Sequence, residues 1–323
     1  MKNEKPIIIY LDQNKWIDLA RAYHERTGGD QFKSVLQKII RAVESNKAIL
    51  PLSAQHIIET RKELNFERRK RLAKVMAEIS HGITIAPQDR MARWELASSL
   101  GKIFKQQSPK IPSPFGITIP FAFGMESVIK DMKGNRVSQS NDIYKTVNKH
   151  LALPETLHIF LLGTDESTNI DAVKKYDKSL DDLVRRVENF RTKVKKENKS
   201  IHQRAYMADL TVAIQDNLSE ALNLYGKKMK DFINLGRESI VSIFENCPSL
   251  DTEIALAVSR NQQWDKKVHI NDSTDIAFLS VATPYCDVVI TEKFWKNLAR
   301  QTKLTEKYDT LLLNDLKDVE EIL

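Results

Sequence analysis

Asp12, Asp272, Asp275 and Glu292 are the residues of this chain most able to do chemistry together. Each stands where a strand is expected to end or a helix to begin. Carboxylates gathered at one place repel one another unless a cation sits among them, so the pattern points to a metal-dependent site. No His or Cys stands at zinc-ligating spacing, and oxygen-only ligands suit hard ions such as Mg²⁺ or Mn²⁺.

The elements that would position these acids are read from hydrophobic pattern. Residues 7–11 form a short, β-rich apolar run that stops at Asp12, and residues 288–290 form another that stops at Thr291-Glu292. Asn271 to Asp275 opens a helical stretch over 276–282 that leads into the second run. If the two strands are parallel neighbours, both end on one edge of the sheet, and the connecting helix starts there as well. Acids from opposite ends of the chain then meet. Between the runs, helices are expected at 15–24 and 32–44, then a strand at 48–52. A long helix follows, capped by Ser53 and ending near His81-Gly82, and leads into a short strand at 83–85. Glu59 lies six residues after Ser53, about 9 Å along the helix axis. It is a further candidate acid, with Glu63 one turn later as its rival.

The alternation predicts an α/β fold with a parallel sheet flanked by helices. Four prolines between Ser108 and Pro120 mark a loop or extended crossing, and helical periods dominate from about 89 to 265. Helices are clearest over 180–197 and 206–225, a last strand is expected at 310–313, and a closing helix at 316–323. The reading is therefore an α/β domain over 1–88 and 268–323, with a mostly α-helical insertion over 89–267.

Each acid also has a bland explanation. Asp12 could be a turn former, Asp272 and Asp275 helix caps favoured by the dipole, and Glu292 half of a surface pair with Lys293. The joint pattern is harder to explain that way. At 41% hydrophobic residues, with 10 Gly and 10 Pro, the chain should bury a core. No apolar run approaches the length of a membrane span, and six residues precede the first strand, too few for a signal peptide. A cytoplasmic protein with no membrane partner is expected. Cys247 and Cys286 form no CxxC pair and are expected to be reduced core residues. A net charge of +7 favours a polyanionic partner. Arg68, Arg69 and Arg71 form one basic run, and Arg185, Arg186, Lys195 and Lys196 belong to a second. Either could contact phosphates or be a solvated helix face. Trp16, Phe294 and Trp295 could stack on bases, with core packing the simpler role for Trp16. No Walker-type loop, no GxGxxG and no nucleophilic triad is present.

Leu11-Asp12-Gln13-Asn14 after the first strand, a Glu in the helix after the second, and the block from Asp275 to Thr291-Glu292-Lys293-Phe294 resemble PIN-like nuclease domains. The resemblance covers residues 5–88 and 268–323 and leaves the insertion without a counterpart. It implies a PIN-like Rossmannoid sheet and metal-assisted phosphodiester hydrolysis, with Asp12, Glu59, Asp275 and Glu292 as ligands or catalytic acids and Asp272 as an additional ligand. Asn14 and Thr291 would orient ligands or a bound water. The last acid departs from the pattern, since Asp is commoner there than Glu, so contact through water could replace direct coordination. The implied cofactor is Mg²⁺ or Mn²⁺ and the implied partner single-stranded nucleic acid, RNA ahead of DNA. The residues themselves do not separate RNA from DNA. The resemblance also implies a neutralising or effector protein partner and allows a homodimer. Two other readings stand beside it. A haloacid-dehalogenase-type phosphatase would need an Asp where Asn14 stands. A catalytically inactive PIN-like scaffold would bind nucleic acid or protein without cutting.

Overall fold

The computed structural model describes residues 5–125, 138, 141–151, 153–163 and 166–323. The first part runs β1 (Ile7–Leu11), α1 (Gln13–Tyr23), α2 (Lys33–Glu44), β2 (Ala48–Ile49), α3 (Ala54–Lys62), α4 (Phe66–Ser80) and β3 (Ile83–Ile85). The middle holds α5 (Gln88–Ile103), β4 (Phe115–Ile117), α6 (Ile119–Ala122), α7 (Asp142–Leu151), α8 (Pro154–Leu162), α9 (Glu166–Val194), α10 (Lys199–Ala213), α11 (Gln215–Asn223), α12 (Met229–Ile233), α13 (Arg237–Glu245) and α14 (Pro248–Asn261). The chain closes with α15 (Asp272–Tyr285), β5 (Val288–Ile290), α16 (Lys293–Gln301), α17 (Leu304–Tyr308) and β6 (Leu311–Leu313), then a 3-10 turn over Leu316–Glu321.

The main sheet is parallel, in the order β2-β1-β5-β6. Its strands read as continuous apolar runs because both faces are covered, the usual condition of a parallel sheet. Side chains alternate between the faces. Ile9, Leu11, Val288 and Ile290 enter a core made with α1, α2, α3 and α4. Ile8, Tyr10 and Val289 enter the opposite one, made with α15, α16 and parts of α5 and α14. A third core joins α5 and α10 to α14. The middle segment thus shares α5 and α14 with the sheet's own packing.

Several elements differ from the expected ones. The long helix after Ser53 is two helices. Glu63 turns extended, and Asn65 restarts the chain by accepting a hydrogen bond from Arg68 N at 3.0 Å. Ile214 breaks the expected 206–225 helix into α10 and α11. β3 joins β4, inside the proline-rich crossing, in a small antiparallel sheet. It touches the β2 side through only a single bridge, Leu52 with Thr84. The closing helix is a 3-10 turn. Among the described residues no helix is long and apolar enough to cross a membrane.

Candidate active site

β1 is flanked by β2 and β5, so the chain leaves it towards one side of the sheet and returns on the other. The crevice at such a reversal, outside the carboxyl ends of the strands, is where open α/β sheets bind ligands. Register sets the strand ends level. Ile9 pairs with Val288 and Leu11 with Ile290, while Ile290 pairs with Leu313. Asp12 N then donates to Ile290 O at 2.9 Å, and Thr291 N donates to Leu313 O at 3.0 Å. Asp12, Thr291 and Asn314 thus stand side by side along one edge.

Three helices begin at that edge, and each lacks a side-chain cap. α1 starts from Asp12, α15 from Asn271 and α16 from Glu292. Their unpaired N–H groups and positive dipole ends favour negative charge. The acids at helix starts are therefore partly offset, and an incoming anion would be favoured by the same groups.

The acids sense one another. Asp12 is pushed up to about 6, first by burial and then by the charge of Glu292, with Glu59 adding to it. A rise of that size disfavours the ionised form by roughly 3 kcal/mol. Asp275 is pushed up to about 8 by burial, then by Asp12, and also by Glu292 and Glu59; the indole N–H of Trp295 partly counters this. Burial also raises Glu59, and the Gln55 amide counters it. Four carboxyls from four elements thus share one field. Glu59 belongs to this set. Glu63 accepts from Asn65 N at 2.9 Å and ends α3.

Three of these four acids also accept from a neighbouring side chain. Trp295 Nε1 donates to Asp275 Oδ2 at 2.9 Å, Gln55 Nε2 to Glu59 Oε1 at 2.5 Å, and Asn14 Nδ2 to Glu292 Oε1 at 3.4 Å. Among the described residues no group of three or more His, Cys, Asp or Glu side chains is placed to hold a metal ion. The donor set is of the oxygen type that suits a hard divalent cation, but as placed among the described residues it does not close around one.

Asp272 is engaged elsewhere. Its Oδ2 accepts from buried Arg260 Nε at 2.7 Å and from His269 N at 2.8 Å. An isolated guanidinium could not stay buried there unpaired, so this acid serves as its counter-ion. Thr291 is buried, and its Oγ1 has no hydrogen-bond partner among the described residues.

A groove of 790 Å³ reaches the acids from one side. Gln13, Asn14 and Glu59 line its inner end, and Arg21, Arg26, Lys62, Arg68 and Arg71 bring positive charge further out. Arg69 does not take part. It is 2% exposed, donates to Glu63 O at 2.7 Å and lies against the Phe66 ring. Arg185, Arg186, Lys195 and Lys196 are exposed, on or just beyond α9. A second groove of 580 Å³ opens on the other side of Asp275 and Glu292, towards Arg260, Lys266, Lys267 and Phe294. Arg185, Arg186, Lys195 and Lys196 line neither. Trp16 and Trp295 are buried, which leaves Phe294 as the accessible aromatic of the three.

Sequence reasoning missed several contributors. Lys15 lowers Asp12 and donates to Asn314 O at 2.9 Å. Its signal was its place one helical turn after Asp12. Gln13 is buried, donates to Thr60 at 3.1 Å and keeps Oε1 without a partner among the described residues. His56 accepts from Ser53 N at 3.0 Å through Nδ1 and meets Leu11 O at 2.7 Å through Nε2, tying the start of α3 to the end of β1. No local pattern announces the Trp295 or His56 contacts. No protein-family model, curated protein or solved structure matches this chain.

Proposed function

We propose that this chain is a metal-dependent nuclease of PIN-like type, hydrolysing phosphodiester bonds of single-stranded nucleic acid, RNA in preference to DNA. The observation that carries the reading is the shared field of Asp12, Glu59, Asp275 and Glu292 at the reversal of a parallel sheet. Asp12 and Asp275, the two most strongly raised, would hold Mg²⁺ or Mn²⁺, with Glu59 and Glu292 completing the set directly or through water. A bound divalent ion would polarise the phosphate and acidify the attacking water. The chain's own residues prepare the ground for this. Lys15 and the open helix starts favour the phosphate, and Asn14 holds Glu292 in place. The basic groove holds the strand by its backbone, which gives affinity without sequence preference.

The test is cleavage of end-labelled single-stranded RNA and DNA with Mn²⁺ and with chelator. Wild-type protein should cut only with metal. Asp12→Asn and Asp275→Asn should each abolish cutting while melting no lower than wild type at pH 8, because each removes a carboxyl whose ionised form the fold disfavours. Full activity in Asp12→Asn would sink the reading.

A second reading, a PIN-like scaffold that binds without cutting, is favoured by carboxylates that, among the described residues, do not close around an ion, and by the engagement of Asp272 by Arg260. Binding to the same oligonucleotides without metal-dependent cleavage would establish it.

A further inference from the structure

The 580 Å³ groove beyond Asp275 is lined by a buried charged group, Arg260, that the fold pairs only in part. Arg260 is 2% exposed. Asp272 accepts from its Nε at 2.7 Å and pairs with its Nη2 at 2.5 Å, and Lys267 O also accepts from Nη2. Nη1 has no partner. A buried guanidinium N–H left unpaired is unfavourable, and an anion beside it would satisfy it. Beside it, Lys266 and Lys267 form no ion pair among the described residues. Lys266 Nζ sits 4.2 Å from the centre of the Phe294 ring. Arg260 Cζ lies 5.9 Å from the same half-buried ring, and the exposed Lys266 is the cation that a stacking base would displace from it. The uncapped first turn of α16 opens into the same space. The wall is also fixed in place. Arg191 on α9 donates to Gln263 O at 2.8 Å, and Glu188 accepts from Val268 N at 3.0 Å.

We infer that this groove is a nucleotide subsite, in which one base stacks on Phe294 and the adjoining phosphate sits among Arg260, Lys266 and Lys267. The inference rests on the nucleic-acid reading of the neighbouring carboxylates, since Asp275 and Glu292 form the groove's other wall. That adjacency selects a strand over a free nucleotide: what fills the groove is continuous with the phosphate at the acids. With the basic groove at Arg68 and Arg71 on the opposite side, the strand would cross the acids from one groove to the other.

The experiment uses the full chain in chelator, with a ten-nucleotide single-stranded RNA carrying 2-aminopurine at successive positions. Stacking should quench the probe at one position. Phe294→Leu should remove that quench and weaken binding about 5-fold or more, the loss of one stacked base. Phe294→Trp should keep both, which guards against a folding defect in the leucine variant. Lys266→Gln with Lys267→Gln should flatten the salt dependence of binding, by about 0.7 in log–log slope per lost phosphate contact. Arg68→Gln with Arg71→Gln should lower affinity and leave the quenched position unchanged. Wild-type quench and affinity in Phe294→Leu would overturn the inference. So would failure of the wild-type chain to bind, or binding of a 5′-mononucleotide as tightly as the strand. If quench is lost in Phe294→Leu but the wild type never cuts with Mn²⁺, the subsite stands and the nuclease falls. If Phe294→Leu binds, quenches and cuts as the wild type does, the nuclease stands alone.

Discussion

Asp12 and Asp275 hold their protons more tightly in the folded chain than an ordinary aspartate does, one up to about 6 and the other up to about 8. The folded state then binds more protons than the unfolded one from about pH 4 upwards, so stability falls as pH rises through that range. Metal-free protein should melt at a lower temperature at pH 8 than at pH 5. Asp275→Asn should flatten that dependence, and the stabilisation added by Mg²⁺ or Mn²⁺ should grow with pH. Thermal scans across pH, with and without metal, check all three; a flat wild-type profile contradicts the assigned repulsion. At this scale the sequence was legible where chemistry follows position. Asp12, Asp275 and Glu292 could be assigned to one sheet edge because strand ends and helix starts locate them. Asp272 and Arg69 were misread, because their roles come from Arg260 and from the backbone of Glu63.

Elements were legible where one face of a pattern meets one core. β1, β5 and the helix between Asn271 and β5 stood out because each is a single apolar run with a single neighbour on each side. The break at 63–65 was missed, since Leu72, Val75, Met76 and Ile79 keep a helical period with Ile57 and Ile58 across it. Asn65 makes the break by capping α4, so Asn65→Ala should cost about 1 kcal/mol in urea unfolding. A larger effect belongs to Glu95 on α5. Its carboxylate accepts from Ser249 N at 2.9 Å and Ser249 Oγ at 2.7 Å at the start of α14, and from Tyr285 OH at 2.5 Å on α15. Glu95→Ala would leave these donors buried and unpaired, a loss on the order of 3 kcal/mol. Glu95→Gln should lose less. Equal stability of the alanine variant would remove Glu95 from the list of contacts that hold the helical middle to the sheet.

For the whole molecule, the parallel sheet and its helical cover were predictable, while the sharing of cores was not. Helical periods predict a mostly helical 89–267, yet only the packed structure shows α5 and α14 lying against the sheet. The charge of +7 is also unevenly used. Arg68 and Arg71 line a groove that leads to the acids; Arg185 and Arg186 do not. Binding of a strand should accordingly weaken steeply with salt, and Arg68→Gln with Arg71→Gln should reduce that slope more than Arg185→Gln with Arg186→Gln. Equal effects would place the strand elsewhere.

β1 and β5 lie side by side in space but at opposite ends of synthesis, and Asn14 meets Glu292 across 278 positions. At about 5–20 residues per second, a ribosome releases Asp12 on the order of fifteen seconds to a minute before Glu292. During that interval the nascent chain carries only half of the carboxylate cluster. Under the proposed nuclease function, the unfinished protein would have no assembled site with which to cut the message that encodes it.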